Sequence, residues 1–191
     1  VAQCRALTMT VNVCGDTTMT MKMPKPSKFH KKLEAMIGDW SGEEIMHASS
    51  WEPQGGSAVG YYKVRSIAGG FGITQDYEQK RDGKVTFTGH SVLGYDAKEK
   101  CYLWHWSDSM GGVPSTVTRG KWSGNKLVFE HAGEMGHARY THTFHRDGSI
   151  GFAMESSPDG QQWSRMMDGR YTNKAAGKAT AKKSAKKSAK K

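Results

Sequence analysis

From Trp40 to Tyr171 apolar and polar side chains alternate, and Gly, Asn, Asp and Ser break the alternation at short intervals. A period of two places successive side chains on opposite faces of a strand. The pattern predicts strands near 40–47, 58–68, 71–80, 85–95, 101–107, 114–122, 126–131, 138–146, 150–156 and 162–171. Arg81-Asp82-Gly83-Lys84, Ser123-Gly124-Asn125, Arg146-Asp147-Gly148-Ser149 and Ser157-Pro158-Asp159-Gly160 supply the Gly or Asn that a hairpin needs for positive φ. No helical segment separates the strands, so an up-and-down antiparallel meander is expected. About ten strands in an open sheet would expose two long edges, which closure removes. The expected fold class is therefore all-β, an up-and-down antiparallel β-barrel of about ten strands with a short N-terminal helix and disordered termini.

Ahead of the strands, Ser27 reads as an N-cap after Pro26. Phe29, Leu33, Met36 and Ile37 fall on one helical stripe, and Gly38 suits a left-handed helix end. Residues 1–26 show no sustained periodicity and are expected to be a disordered leader. Met19, Met21 and Met23 leave two readings open: a natural start near Met21 or Met23 with an artefact upstream, or a genuine leader. Residues 27–173 form the expected barrel domain, and 174–191 a disordered tail rich in Lys and Ala.

Several strand faces stand out by parity: Val85, Phe87 and Leu93; Tyr102, Trp104 and Trp106; Ala138, Tyr140, His142 and Phe144; Ile150, Phe152 and Met154; Trp163, Arg165 and Met167. A barrel of this size is not expected to be filled wholly by side chains, and such a mixed inner face suits a ligand cavity. The run Tyr102-x-Trp104-x-Trp106-x-Asp108 reads as lining near the mouth, with Gly111-Gly112 as a flexible connection.

Composition narrows this picture only in part. The 191 residues suffice for one domain with a core. The formal charge is +10, but the tail from Lys174 carries eight Lys and no acid, so its +8 leaves only +2 for the body. The basic balance therefore belongs to the tail, where Lys182, Lys183, Lys186, Lys187, Lys190 and Lys191 offer weak, non-specific contact with nucleic acid or another acidic surface. Cys4, Cys14 and Cys101 include no C-x-x-C, and an odd count argues against a disulfide framework, favouring a reducing cytoplasm. No apolar run reaches the length of a membrane span, and the N-terminus lacks a basic start followed by an apolar core.

Catalytic signals are weak. His142 and His145, three apart, fall on opposite strand faces, and no H-E-x-x-H or Cys-containing metal motif occurs, so no metal is expected. His142 shares a face with Tyr140 and Phe144, which makes it the best axial ligand if haem is bound. His105, Ser107, Asp108 and Ser109 alternate in direction and make no triad, and no G-x-S-x-G elbow is present. Glu43 and Glu44 point to opposite faces. Arg65, Arg119 and Arg165 lie in strands, where an inward guanidinium would hold a ligand carboxylate or phosphate.

The order of elements is similar to the calycin proteins, which include lipocalins, fatty-acid-binding proteins and nitrobindin-like haem barrels. Gly38-Asp39-Trp40 resembles their Gly-x-Trp opening. The chain more closely resembles an uncharacterised bacterial domain family of calycin type. The likeness lies in Leu33, Gly38-Asp39-Trp40-Ser41-Gly42, Gly69-Gly70-Phe71, Gly89, Gly94-Tyr95-Asp96 and Trp106-Ser107-Asp108-Ser109-Met110-Gly111. It spans residues 28–173 and implies a barrel without a settled activity. The resemblance also implies a Tyr-x-Arg ending whose Arg covers the base Trp. Here the segment is Tyr171-Thr172-Asn173, leaving Arg170 or Arg165 to cover Trp40.

The leading functional expectation is non-catalytic binding of a small hydrophobic or amphipathic ligand. Trp40, Tyr102, Trp104, Trp106, Asp108, Tyr140, His142 and Arg165 are the candidate contacts. The alternatives are a haem or nitrogen-oxide barrel and an enzyme acting on a small molecule in the cavity.

Overall fold

A computed structural model describes residues 23–50, 52–111, 117–133 and 136–174. It also describes the backbone of two short strands, β1 (Met9–Val11) and β2 (Met19–Met21), which pair with each other. The rest of the expected leader, Gly112 of the expected flexible connection and the Lys-rich tail beyond Lys174 lie outside the described residues.

The barrel strands are β3 (Gly38–Met46), β4 (Gly56–Ile67), β5 (Gly72–Arg81), β6 (Lys84–Asp96) and β7 (Cys101–Asp108). They continue as β8 (Thr118–Ser123), β9 (Lys126–Gly133), β10 (Gly136–Phe144), β11 (Ile150–Ser157) and β12 (Ser164–Asn173). Each strand pairs antiparallel with its neighbour in sequence, and β12 pairs with β3 to close the barrel. The expected meander is therefore present in full. Asp82 and Gly83, at φ +51° and +75°, make the tight turn between β5 and β6, the conformation for which a D-G pair is suited.

Two bulges reverse face assignments that simple alternation predicts. Between β5 and β6, Gln79 faces Phe87 but Lys80 faces Val85, so Thr86 is the extra residue. Phe87 stays on the inner face with Leu93, while Val85 turns outward and is 50% exposed. Between β11 and β12, Met154 faces Met167 but Glu155 faces Arg165, leaving Met166 extra. Arg165 thereby leaves the face of Met167 and lies on the outer surface, bridging Glu155 and Asp168. An extra residue in one strand shifts the parity of everything beyond it.

One end of the barrel is plugged. Ser27 caps a single α-helical turn, α1 (Lys28–Lys31), accepting from the Phe29 amide, while His30 Nδ1 accepts from the Ser27 amide. The chain continues as a 3₁₀ segment, Lys32–Met36, that buries Leu33 and Met36. Ile37 is already extended, so Gly38 does not serve as a left-handed helix cap; it opens β3 at φ +149°. The Trp40 indole donates to the Met36 carbonyl at 2.8 Å, and the Tyr102 hydroxyl donates to the Phe29 carbonyl at 2.8 Å. Phe29 stacks on Tyr95. The core runs upward from this plug through Val64, Ile73, Leu93, Leu127, Phe129 and Ile150.

Leu93→Ala is expected to lower the unfolding free energy by about 2–5 kcal/mol. Val85→Ala, of the same sequence parity, should change it by no more than about 0.5 kcal/mol. Urea unfolding of both variants measures the difference; equal losses would place Val85 inside.

Candidate functional site

Above the plug the inner wall becomes polar. Alternation along β3 carries Trp40, Gly42, Glu44 and Met46 inward, and Glu44 is fully buried. Its neighbours come from β5 and β12. The Tyr77 hydroxyl lies 2.9 and 2.8 Å from the two Glu44 oxygens, Gln79 Nε2 donates to Oε2 at 2.8 Å, and the Tyr171 hydroxyl donates to Oε1. Tyr62 packs beside Tyr77 and Tyr171 at ring distances of 4.6 and 4.8 Å. Two glycines permit this crowding. A Cβ at Gly60 would strike the Glu44 carboxylate, and one at Gly169 would strike the Tyr171 hydroxyl.

Burial pushes the Glu44 carboxyl above its ordinary range, while the hydrogen bonds from Tyr171, Gln79 and Tyr77 and the field of Arg81 act to lower it. The tyrosines respond in kind. Burial raises Tyr62, Tyr77 and Tyr171, helped by the charge of Glu44 and, for Tyr77 and Tyr171, by the neighbouring Tyr62, so all three stay protonated.

A second cluster faces this one. Trp104 lies between Trp106, Tyr140, Phe129 and His142, with ring distances of 5.6, 5.0, 5.3 and 6.2 Å. Among the described residues, no group bonds Trp104 Nε1, His142 Nδ1 or Ser91 Oγ, although all three atoms are buried. Burial alone lowers His142 to about 4, so its ring is neutral at pH 7. Between the clusters lies a cavity lined by Trp40, Tyr62, Gln75, His142, Phe152 and Tyr171 among others. It measures about 20 Å³, room for roughly one water molecule.

The far end of the barrel is where the wall opens. Phe87, Trp106, Tyr140, Met154 and Met167 are half-buried there. Asp108 ends β7 at this mouth, accepting from Trp106 Nε1 at 2.9 Å and from the Met110 amide at 2.9 Å. Its charge adds to burial in raising Tyr140.

The expected contact residues therefore divide. Trp104, Trp106, Asp108, Tyr140 and His142 share the inner wall. Trp40 and Tyr102 also face inward but tie down the plug. Arg165 is outside, because of the bulge at Met166, as are Arg65, paired with Asp39 at 2.6 Å, and exposed Arg119. Among the described residues no arginine covers Trp40: Arg170 pairs with Asp147 at 2.7 Å, and Asn173 stands opposite Trp40 in the ladder. The Glu44 cluster was not anticipated. Its one signal was parity, since Glu44 shares the face of Trp40 and Glu43 does not.

A family model described as "Protein of unknown function (DUF1579)" matches residues 25–173. The chain belongs to this family. A structural likeness is found to Rv2717c from M. tuberculosis, known from a crystal structure, with a TM-score of 0.56 and 13% identity. The match covers 78% of this chain and 99% of that one, and at such identity it speaks to the fold alone. A search of curated proteins finds no match. Among the described residues of this DUF1579 barrel, no group of three His, Cys, Asp or Glu is placed to hold a metal ion, and no helix is long and apolar enough to cross a membrane.

The residues at His142 do not fit a haem. Its ring is packed against Phe152 at 5.1 Å, and the adjoining cavity is about 20 Å³, far below the roughly 300–1,000 Å³ of pockets enclosing larger ligands.

His142 makes stability depend on pH. Its pKa is depressed in the folded state, so its contribution is complete above the ordinary value of 6.5 and is lost as pH falls from there toward about 4. The full loss is on the order of 3 kcal/mol. Glu44 acts in the opposite sense: its raised pKa favours the fold at low pH and the benefit fades as pH rises. Thermal melting of wild type and His142→Leu at pH 7.5 and 4.5 separates the two. The variant should lose much less stability on acidification; an equal loss would assign the effect elsewhere.

Proposed function

We propose that this barrel binds a small hydrophobic or amphipathic molecule without transforming it. The observation that carries the reading is the set of buried polar atoms on an aromatic wall, Trp104 Nε1, His142 Nδ1 and Ser91 Oγ, that no described protein group satisfies. Leaving such a group unpaired costs about 1–3 kcal/mol, and a ligand that bonds it recovers the loss. The resemblance to calycin barrels supports the same use of the interior.

The small cavity sets a condition. A ligand larger than a water molecule must displace side chains, and Met46, Met154 and Met167 stand side by side in the ladders at the mouth. Unbranched thioether side chains re-pack at low cost, which favours entry from this end. Cys101, buried and unpaired, fits the reducing cytoplasm favoured by the sequence. The Lys-rich tail is proposed to act separately, holding polyanions by charge alone.

Native mass spectrometry of protein from its own host should show a small-molecule adduct, and Trp104→Phe should weaken its retention about tenfold, the worth of one lost hydrogen bond. A bare protein mass, with no shift of tryptophan emission on adding small amphiphiles, would count against binding. For the tail, ending the chain after Asn173 should abolish salt-sensitive retention on immobilised DNA; unchanged retention would remove that role.

A further inference from the structure

We propose that the ligand carries a carboxylate, which takes Arg81 at the mouth in exchange for Glu52, while its apolar body lies along the aromatic and thioether wall. This deepens the binding reading above and rests on it.

Arg81 ends β5 on the inner face. The bulge at Thr86 lies in β6, so alternation along β5 runs unbroken through Gln75, Tyr77, Gln79 and Arg81. The field of Arg81 reaches inward to Glu44 and Tyr77. Lys80, of the opposite parity, turns outward to Glu78.

The guanidinium is only half used along one edge. Nη2 donates to a single Glu52 oxygen at 2.6 Å, and Nε is buried with no partner among the described residues. Nε and Nη2 together form an edge of the planar fork that can donate two parallel bonds to one carboxylate. Glu52 engages half of that edge. A ligand carboxylate set square on it makes two charge-assisted bonds where Glu52 makes one, and it satisfies a buried donor that is costly to leave unpaired. Glu52 lies on the connection between β3 and β4 and is only half-buried, so water can take its carboxylate once displaced. Its presence there also shows which chemistry Arg81 accepts.

Apolar surface adjoins this headgroup site. Gln79, the inward residue before Arg81, stands opposite Phe87, and Phe87 stacks on Trp106. These two rings, with Met154 and Met167, are half-buried at the mouth, so the body of the ligand does not need the water-sized cavity deeper in the barrel. The two inward carboxylates set the orientation. Glu44 is sealed below, engaged by Tyr77, Gln79 and Tyr171. Asp108, on β7, accepts from Trp106 Nε1 and the Met110 amide, and its charge keeps a ligand carboxylate away from that side of the mouth.

Octanoate, octanol and octylammonium test this on the full chain at pH 7.5, with tryptophan emission and calorimetry as readouts. Octanoate should bind about tenfold more tightly than octanol, with octylammonium no tighter than octanol. Arg81→Gln should erase the advantage of octanoate over octanol. Glu52→Gln removes the resident competitor and should strengthen octanoate binding severalfold while octanol binding stays the same. An ion pair with a merely structural role would instead weaken both probes alike, or neither, when Glu52 is changed. Glu52 is half-exposed on a connection, so its variant carries the test where Arg81→Gln fails to fold. Octanol or octylammonium binding as tightly as octanoate would overturn the carboxylate inference and leave the binding reading standing. So would octanoate binding that Glu52→Gln leaves unchanged or weakens. Failure of all three probes to bind would count against both.

Discussion

The ladder between β12 and β3 joins the two ends of a ten-strand meander, and the interior exists only because it forms. In its register Gly169 stands opposite Glu44 and Tyr171 opposite Gly42. The hydrogen bond from Tyr171 to Glu44 therefore links residues 127 positions apart. Every other rung of the barrel joins strands adjacent in sequence, where loop closure costs least. Closure of the first strand on the last carries the largest entropic cost, and it converts Glu44 from a residue at a sheet edge into one sealed from water. Seen this way, the buried carboxylate and its tyrosines depend on the same contacts that make the barrel a barrel.

The interior is divided along its axis. Toward the plug, Leu33, Met36, Trp40, Ile73 and Leu93 close the core with apolar surface, and the indole of Trp40 fixes the 3₁₀ segment to the first strand. Toward the mouth, the wall carries a carboxylate, phenols, a neutral imidazole and thioethers. The plugged end supplies stability; the open end is where chemistry can be recognised. The outer surface holds Arg65, Arg165 and Arg170 in exposed ion pairs, each worth little to stability.

Much of this was legible in the amino-acid sequence. Alternation and turn chemistry determine the ten strands and their order, because hydrogen bonding between neighbours needs only local hairpins. Ser27 determines where the helix begins, through its own side chain. The aromatic run Tyr102, Trp104, Trp106 determines its own common face, since nothing in that segment interrupts a period of two. The likeness of Gly38-Asp39-Trp40 and Trp106-Ser107-Asp108 to a barrel family of unsettled activity pointed to the same fold.

Other features were decided by tertiary structure alone. Parity separates Glu43 from Glu44 but does not say which faces inward; that follows from Trp40, which the plug draws into the core. The bulges at Thr86 and Met166 turn Val85 and Arg165 outward, and an extra residue in a ladder is defined only by the strand across from it. Among the described residues nothing replaces the missing arginine over Trp40, because Arg165 and Arg170 find carboxylates on the outer surface, while Asn173 and the helical plug occupy the base. The Glu44 cluster draws on β3, β5 and β12, and no spacing in one chain segment records a contact made across a closed barrel. Between bulges, sequence periodicity sets which residues share a face; only closure, register and burial decide where a bulge falls, which face meets water and which groups meet each other.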